Sequence, residues 1–167
     1  MNRMIATCFG LGHLRPAPGT WASAVAVALG LAIDRWLGFP VLVAAMLLVV
    51  VLGYRAVAAT LASPADDPAE FVIDEVAGQW LALLFPAAAF WFHGVENWAL
   101  VAWPGWVAAF GFFRLFDIWK PWLVGRLDRR GGAAGVMGDD LVAGLFAGVA
   151  LMAAAALYHG LIEPWLR

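Results

Sequence analysis

Apolar residues run along this chain in five stretches, separated by clusters of charge, glycine and proline. The first extends from about Trp21 to Ile33, just ahead of Asp34 and Arg35. The second, Trp36 to Tyr54, is 19 residues without a charge, about 28 Å of helix at about 1.5 Å per residue. The third, Val76 to Phe92, contains Gln79 and Pro86. The fourth, Trp98 to Phe113, contains Pro104, and the fifth, Leu141 to Tyr158, is rich in Ala and Gly. Gly144 with Gly148, and Ala150 with Ala154, form small-xxx-small faces that let membrane helices approach closely. One such run could be the buried helix of a soluble protein. Five in one chain leave too little polar surface to cover them. The pattern predicts an all-α, polytopic membrane helical bundle of four to five membrane-embedded helices, in a single domain over residues 1–167. The first run is the shortest. It reads as re-entrant unless its helix begins near Thr20 and continues through Asp34–Trp36. It starts too late, behind polar Gly/Pro sequence, to read as a cleaved signal peptide.

Composition agrees with the pattern. Hydrophobic residues are 64% and charged residues 13%, with a mean hydropathy of +0.84, against about 45–50% and about 25% in soluble domains. A net charge of -2 supplies no polycationic surface for nucleic acid. The 10 Trp suit the membrane interface, each an apolar ring with one polar N–H. Cys8 stands alone, which excludes an internal disulfide and a multi-cysteine metal site.

Charge adds an orientation. In a five-span topology Arg3, Arg15, Arg55, Arg114, Lys120, Arg126, Arg129 and Arg130 share one side, and only Arg35 and Arg167 take the other. The positive-inside rule therefore puts the N-terminus and both long loops in the cytoplasm. Most acids fall on that side too: Asp66, Asp67, Glu70, Asp74, Glu75, Asp117, Asp128, Asp139 and Asp140, against Asp34, Glu96 and Glu163.

Two acid pairs occupy similar places. Asp74–Glu75 precedes the third run and Asp139–Asp140 the fifth, each soon followed by glycine, at Gly78 and Gly144. Helix capping needs one carboxylate. A second beside it adds repulsion that a bound cation relieves, so the pairs predict a shared divalent site. All-oxygen ligands favour Mg2+, Mn2+ or Ca2+ over zinc.

Arg114, Asp117 and Lys120 recur at i, i+3 and i+6 ahead of Pro121, which places them on one broad helix face. They read either as a snorkelling juxtamembrane helix or as a cationic clamp for phosphate, with Asp117 orienting it or joining the metal. The segment Gly10-Leu-Gly-His-Leu-Arg-Pro-Ala-Pro-Gly-Thr20, with Ser23 beyond, can bring backbone N–H groups to an anion. It also reads as a loop with Thr20 capping a helix. A second Gly-rich stretch, Gly131 to Gly138, reads as a plain loop or as one whose flexibility folds the acid pair over a ligand. The Cys8-to-Arg15 spacing misses that of the cysteine phosphatases, and His13, His93 and His159 form no ligand pair at helical spacing. A transporter using intramembrane acids is the alternative from another class, but here the acids sit at the edges of the runs.

Four elements, in order and over most of the chain, resemble the phosphatidylglycerophosphatase A family. They are GLGHLRPAPGTWAS from Gly10 to Ser23; Asp67-Pro68 with Val72-Ile-Asp-Glu-Val-Ala-Gly78; Phe113-Arg-Leu-Phe-Asp-Ile-Trp-Lys-Pro-Trp122; and Gly131-Gly132 through Gly135-Val-Met-Gly-Asp-Asp-Leu-Val-Ala-Gly144. Ala22 stands where a glycine is expected, and the stretch around Ala133–Ala134 is reshaped. The resemblance implies a Mg2+-dependent phosphatase of the bacterial inner membrane, multi-pass, with its active site on the cytoplasmic face. Its membrane phospholipid substrate would be phosphatidylglycerol phosphate, released as phosphatidylglycerol and inorganic phosphate. Another phospholipid monoester is the alternative, and the oligomeric state is left open. In this reading Asp74, Glu75, Asp139 and Asp140 hold the metal and Arg114 and Lys120 bind the terminal phosphate. Gly19, Thr20 and Ser23 add substrate contacts, and Asp117 is a further base or nucleophile.

Overall fold

A computed structural model describes residues 1–63, 68–95 and 97–162. Asp66, Asp67, Glu96, Glu163 and Arg167, used above in the charge pattern or the motifs, lie outside the described residues. Among the described residues every regular element is helical. A short α1, Asn2–Ala6, and a single turn at Leu11–His13 lead into α2, Pro18–Leu37. Then come α3 (Phe39–Ala58), α4 (Ile73–Phe92), α5 (Trp98–Val101), α6 (Trp103–Trp119), α7 (Leu123–Asp128) and α8 (Gly132–Leu157). Four helices are long and apolar enough to cross a membrane: Pro18–Leu37, Phe39–Ala58, Ile73–Phe92 and Gly132–Gly160.

Three boundaries differ from the sequence reading. The first run is no re-entrant stub, because α2 begins at Pro18 and continues through Asp34–Trp36. Thr20 is therefore inside the first turn, not capping it; the position before the helix is Ala17, with no side-chain cap. The fourth run is broken at Ala102. Pro104 stands at the start of α6, where its missing N–H costs nothing, and α6 continues past Phe113 to Trp119. At 17 residues it is about 25 Å long, just short of the usual span. Most consequentially, Gly132–Gly138 is helix. The Asp139–Asp140 pair lies in the third turn of α8 and caps nothing.

The longer helices α2, α3, α4, α6 and α8 follow one another along the chain. α4 lies at the centre, with half of its spanning window buried against 28% for each of the other three candidate spans. Its closest neighbour is α8. A Cβ on Gly78 would overlap the Asp140 carbonyl, and one on Gly144 would overlap the Gly78 carbonyl. In lipid such backbone approach, rather than exclusion of water, drives association. The crossing matters for chemistry because each glycine follows an acid by four residues, Asp74 before Gly78 and Asp140 before Gly144. Clamping the glycines together brings the two acid pairs together one turn away. On the other side of α4, Gly30 of α2 faces the Trp80 ring, whose Nε1 donates to Ala26 O at 2.7 Å.

Candidate active site

The start of α2, the start of α4, the end of α6 and the third turn of α8 meet around a cavity of about 270 Å³. Its lining includes Gly19, Thr20, Asp74, Glu75, Arg114, Asp117, Lys120, Asp139 and Asp140. Ser23 reaches the same cluster through Glu75. The structure thus brings together all the residues singled out for chemistry from sequence, though not in the grouping expected.

Glu75, Asp117 and Asp140 form a triad, one from each of α4, α6 and α8, each offering a carboxylate oxygen within 4.8 Å of the others. Arg114 bridges two of them. Its Nη1 pairs with Glu75 Oε2 and lies 3.0 Å from Asp117 Oδ2. The same nitrogen donates to Ser23 Oγ at 3.2 Å. The Ser23 hydroxyl lies 2.8 Å from Gly19 O and 3.0 Å from Glu75 Oε2, with one proton to give. Gly19 permits this arrangement, since a Cβ there would overlap Glu75 Oε1.

Asp139 is drawn elsewhere. Its Oδ2 accepts from Lys120 Nζ at 2.8 Å, and Lys120 also pairs with Asp128. Lys120 is not on the helix face of Arg114 and Asp117. It follows the last residue of α6 in the left-handed conformation, φ 49°, and that turn swings its ammonium towards α7 and α8. The expectation of one Arg–Asp–Lys face is corrected accordingly. Burial alone would lower the Lys120 pKa, but the hydrogen bonds and charges of Asp128 and Asp139 outweigh it and raise it. The sign is that of a cation held by partners, so Lys120 remains an ammonium across the physiological range. Asp128 was no candidate from sequence; nothing in its spacing marks it as a partner of Lys120.

Asp74 behaves partly as a cap, its Oδ1 accepting the Glu75 N–H at 2.9 Å in the first turn of α4. At the start of α2 the first backbone bond is made by Trp21 to Ala17 O, at 3.2 Å. The N–H groups of Gly19 and Thr20 precede it, on residues that line the cavity. One turn below Glu75 on α4, Gln79 is fully buried with neither amide atom partnered, and the buried Arg114 Nε is likewise unpartnered. Burial pushes the Cys8 thiol up to about 12, with Asp74 adding to the shift, so it stays protonated and is no nucleophile.

In charge the cavity is lopsided. Five carboxylates (Asp74, Glu75, Asp117, Asp139 and Asp140) face two cations, Arg114 and Lys120. Carboxylates packed this closely repel one another and repel phosphate, and a hard divalent cation relieves both. The donor set, all carboxylate oxygen from three helices, fits such an ion.

The fold and site define an all-helical membrane protein with an acidic, arginine-bridged cavity at one end of its bundle. Residues 4–155 match the family described as phosphatidylglycerophosphatase A. The chain belongs to that family, and so is an enzyme of the phosphatase class. It is 31% identical over 152 residues to a phosphatidylglycerophosphatase A of Haemophilus influenzae, covering 90% of this chain and 86% of the relative. It is 34% identical over 148 residues to a Bacteroides thetaiotaomicron protein provisionally named phosphatidylinositol-3-phosphatase, covering 86% of each. A phosphatidylglycerophosphatase A of Escherichia coli matches at 37% over 81 residues, 47% of this chain and 40% of the relative. No solved structure matches.

Proposed function

We propose that this chain hydrolyses the terminal phosphomonoester of phosphatidylglycerol phosphate, with Mg2+, at the cytoplasmic face of the bacterial inner membrane. The observation that carries the reading is the cavity itself, whose five carboxylates face two cations at the end of a membrane bundle. Glu75, Asp117 and Asp140 would hold the metal ion. When bound, it supplies charge neutralisation on the phosphoryl oxygens. Arg114 is the oriented cation beside it, able to turn from Glu75 towards a phosphate oxygen. The Gly19 and Thr20 N–H groups and the Ser23 hydroxyl add neutral donors on the α2 side. Asp74, on the cavity wall, takes the proton of the attacking water as general base. Lys120 neutralises Asp139 and Asp128 and gives the cavity its second positive charge. The acyl chains stay in the bilayer, since the cavity opens at the end of the helices rather than midway along them. The same placement argues against a transporter, whose acids belong within a span.

The test is phosphate release from a panel of phospholipid monoesters in mixed micelles, with Mg2+ and with EDTA. Preferential, EDTA-sensitive hydrolysis of phosphatidylglycerol phosphate is expected. Full activity in EDTA removes the metal from the reading. Preference for a phosphoinositide, the head group in the name of the Bacteroides relative, replaces the substrate. A further expectation separates the cations. Arg114→Ala should lower kcat/KM by about 10²–10³, the usual cost of losing one oriented transition-state donor. Alanine at Arg126, Arg129 or Arg130, which lie outside the cavity lining, should change it little. Equal losses for all four variants would make Arg114 a membrane anchor.

A further inference from the structure

A second cavity, about 450 Å³, lies against the first and shares Pro18, Pro68 and Ala69 with it. Its remaining wall is Gly12, His13, Arg15 and Glu70. We propose that this cavity is a second anion subsite, which takes the diester phosphate of the lipid whose terminal phosphomonoester enters the acidic cavity. The proposal rests on the lipid-phosphatase reading above and names what selects the head group.

Four observations support it. Arg15 is exposed on the cavity wall and forms no ion pair with any described residue. The one described carboxylate of the wall, Glu70, is already engaged, by Arg3 Nη2 at 2.6 Å and by His13 Nδ1 at 3.6 Å. Among the described residues the guanidinium of Arg15 is thus unpaired, and its planar fork suits a phosphate. The wall is also fixed in place. Gly12 packs so closely on the Glu70 carbonyl that a Cβ there would overlap it, and Val72 N–H donates to Ala6 O at 2.9 Å. These contacts tie the N-terminal loop to the segment that leads into α4. Finally, the acidic cavity has no cation to spare for a second phosphate. Arg114 is committed to the cleaved phosphate, and Lys120 is held by Asp128 and Asp139. A lipid carrying two phosphates on a three-carbon spacer needs two adjacent sites of different character. The metal-dependent acidic cavity suits the phosphate that is cleaved, and the Arg15 cavity suits the one that stays. Arg15 precedes α2, so it sits at the same end of the bundle, where a phospholipid keeps its diester.

The experiment uses the full-length protein in neutral detergent micelles, which present no bulk anionic surface. Hydrolysis of phosphatidylglycerol phosphate is measured for the unaltered chain, Arg15→Gln and Arg15→Lys. Two inhibitors are then compared: phosphatidylglycerol, which carries the diester phosphate alone, and inorganic phosphate, which resembles the cleaved group. Arg15→Gln is expected to raise KM and the phosphatidylglycerol inhibition constant about tenfold, the scale of one charge-assisted contact. It should leave kcat and the inorganic phosphate constant unchanged, and Arg15→Lys, which keeps the charge but not the fork, should recover part of the loss. If both inhibition constants move alike, the cavity holds free phosphate and the diester subsite is wrong; if neither moves, there is no subsite. An unaltered chain that releases no phosphate overturns the phosphatase reading first, and the subsite with it.

Discussion

Glu75→Gln and Asp140→Asn are each expected to abolish most turnover, by about 10²–10³ in kcat, and to weaken divalent-cation binding at the same time. Each is one of three carboxylates whose oxygens converge within 4.8 Å. Replacing one by an amide removes a negative charge from the donor set and leaves an N–H₂ facing the ion. Asp74→Asn should cost comparable turnover while leaving cation binding near that of the unaltered protein, because Asp74 lies beside the triad rather than in it. The measurements are phosphate release and Mn2+ titration followed by electron paramagnetic resonance. A Glu75→Gln protein that binds Mn2+ as the unaltered chain does would falsify the triad as the cation site.

The second large effect lies in the packing. Gly144→Val should leave little folded protein in detergent. Its Cβ alone would overlap the Gly78 carbonyl, and backbone cannot rotate away as a side chain can. Overpacking usually costs about 1–3 kcal/mol; here relief requires α4 and α8 to separate, which also pulls the acid pairs apart. Gly138→Ala is the control, since the atoms nearest its Cβ would be those of the Leu127 side chain, from 3.5 Å. Size-exclusion profiles and phosphatase activity after extraction read the result. A Gly144→Val protein that is monodisperse and fully active would show that the two helices do not need this contact.

How far the sequence foretold this arrangement depended on the kind of information involved. Hydrophobic runs marked the helices well, because a span is set by length and apolarity. They marked helix ends poorly. Four of the eight residues from Gly131 to Gly138 are glycine, which predicts a loop, yet most of the stretch forms the first turns of α8. Those turns are buried: Gly135 packs under the Leu127 carbonyl, and Val136 and Met137 lie in a core with Ile73 and Ala77. Tertiary contact overrides a poor intrinsic propensity. The acids were visible as candidates because charge is rare in such a chain. Their grouping was not, because helical spacing describes one helix and the triad draws on three. Lys120 shows the limit most clearly. Its i, i+6 relation to Arg114 holds only if α6 continues through it, and the left-handed residue at that position redirects the side chain.

The carboxylates of the triad stand at positions 75, 117 and 140, on three different helices. During synthesis they emerge one after another, Asp140 last. A nascent chain halted between α6 and α8 holds two of the three groups and lacks the α8 wall of the cavity. If the triad is the cation site proposed above, catalytic competence arrives with α8, and phosphate release then reports completed membrane insertion.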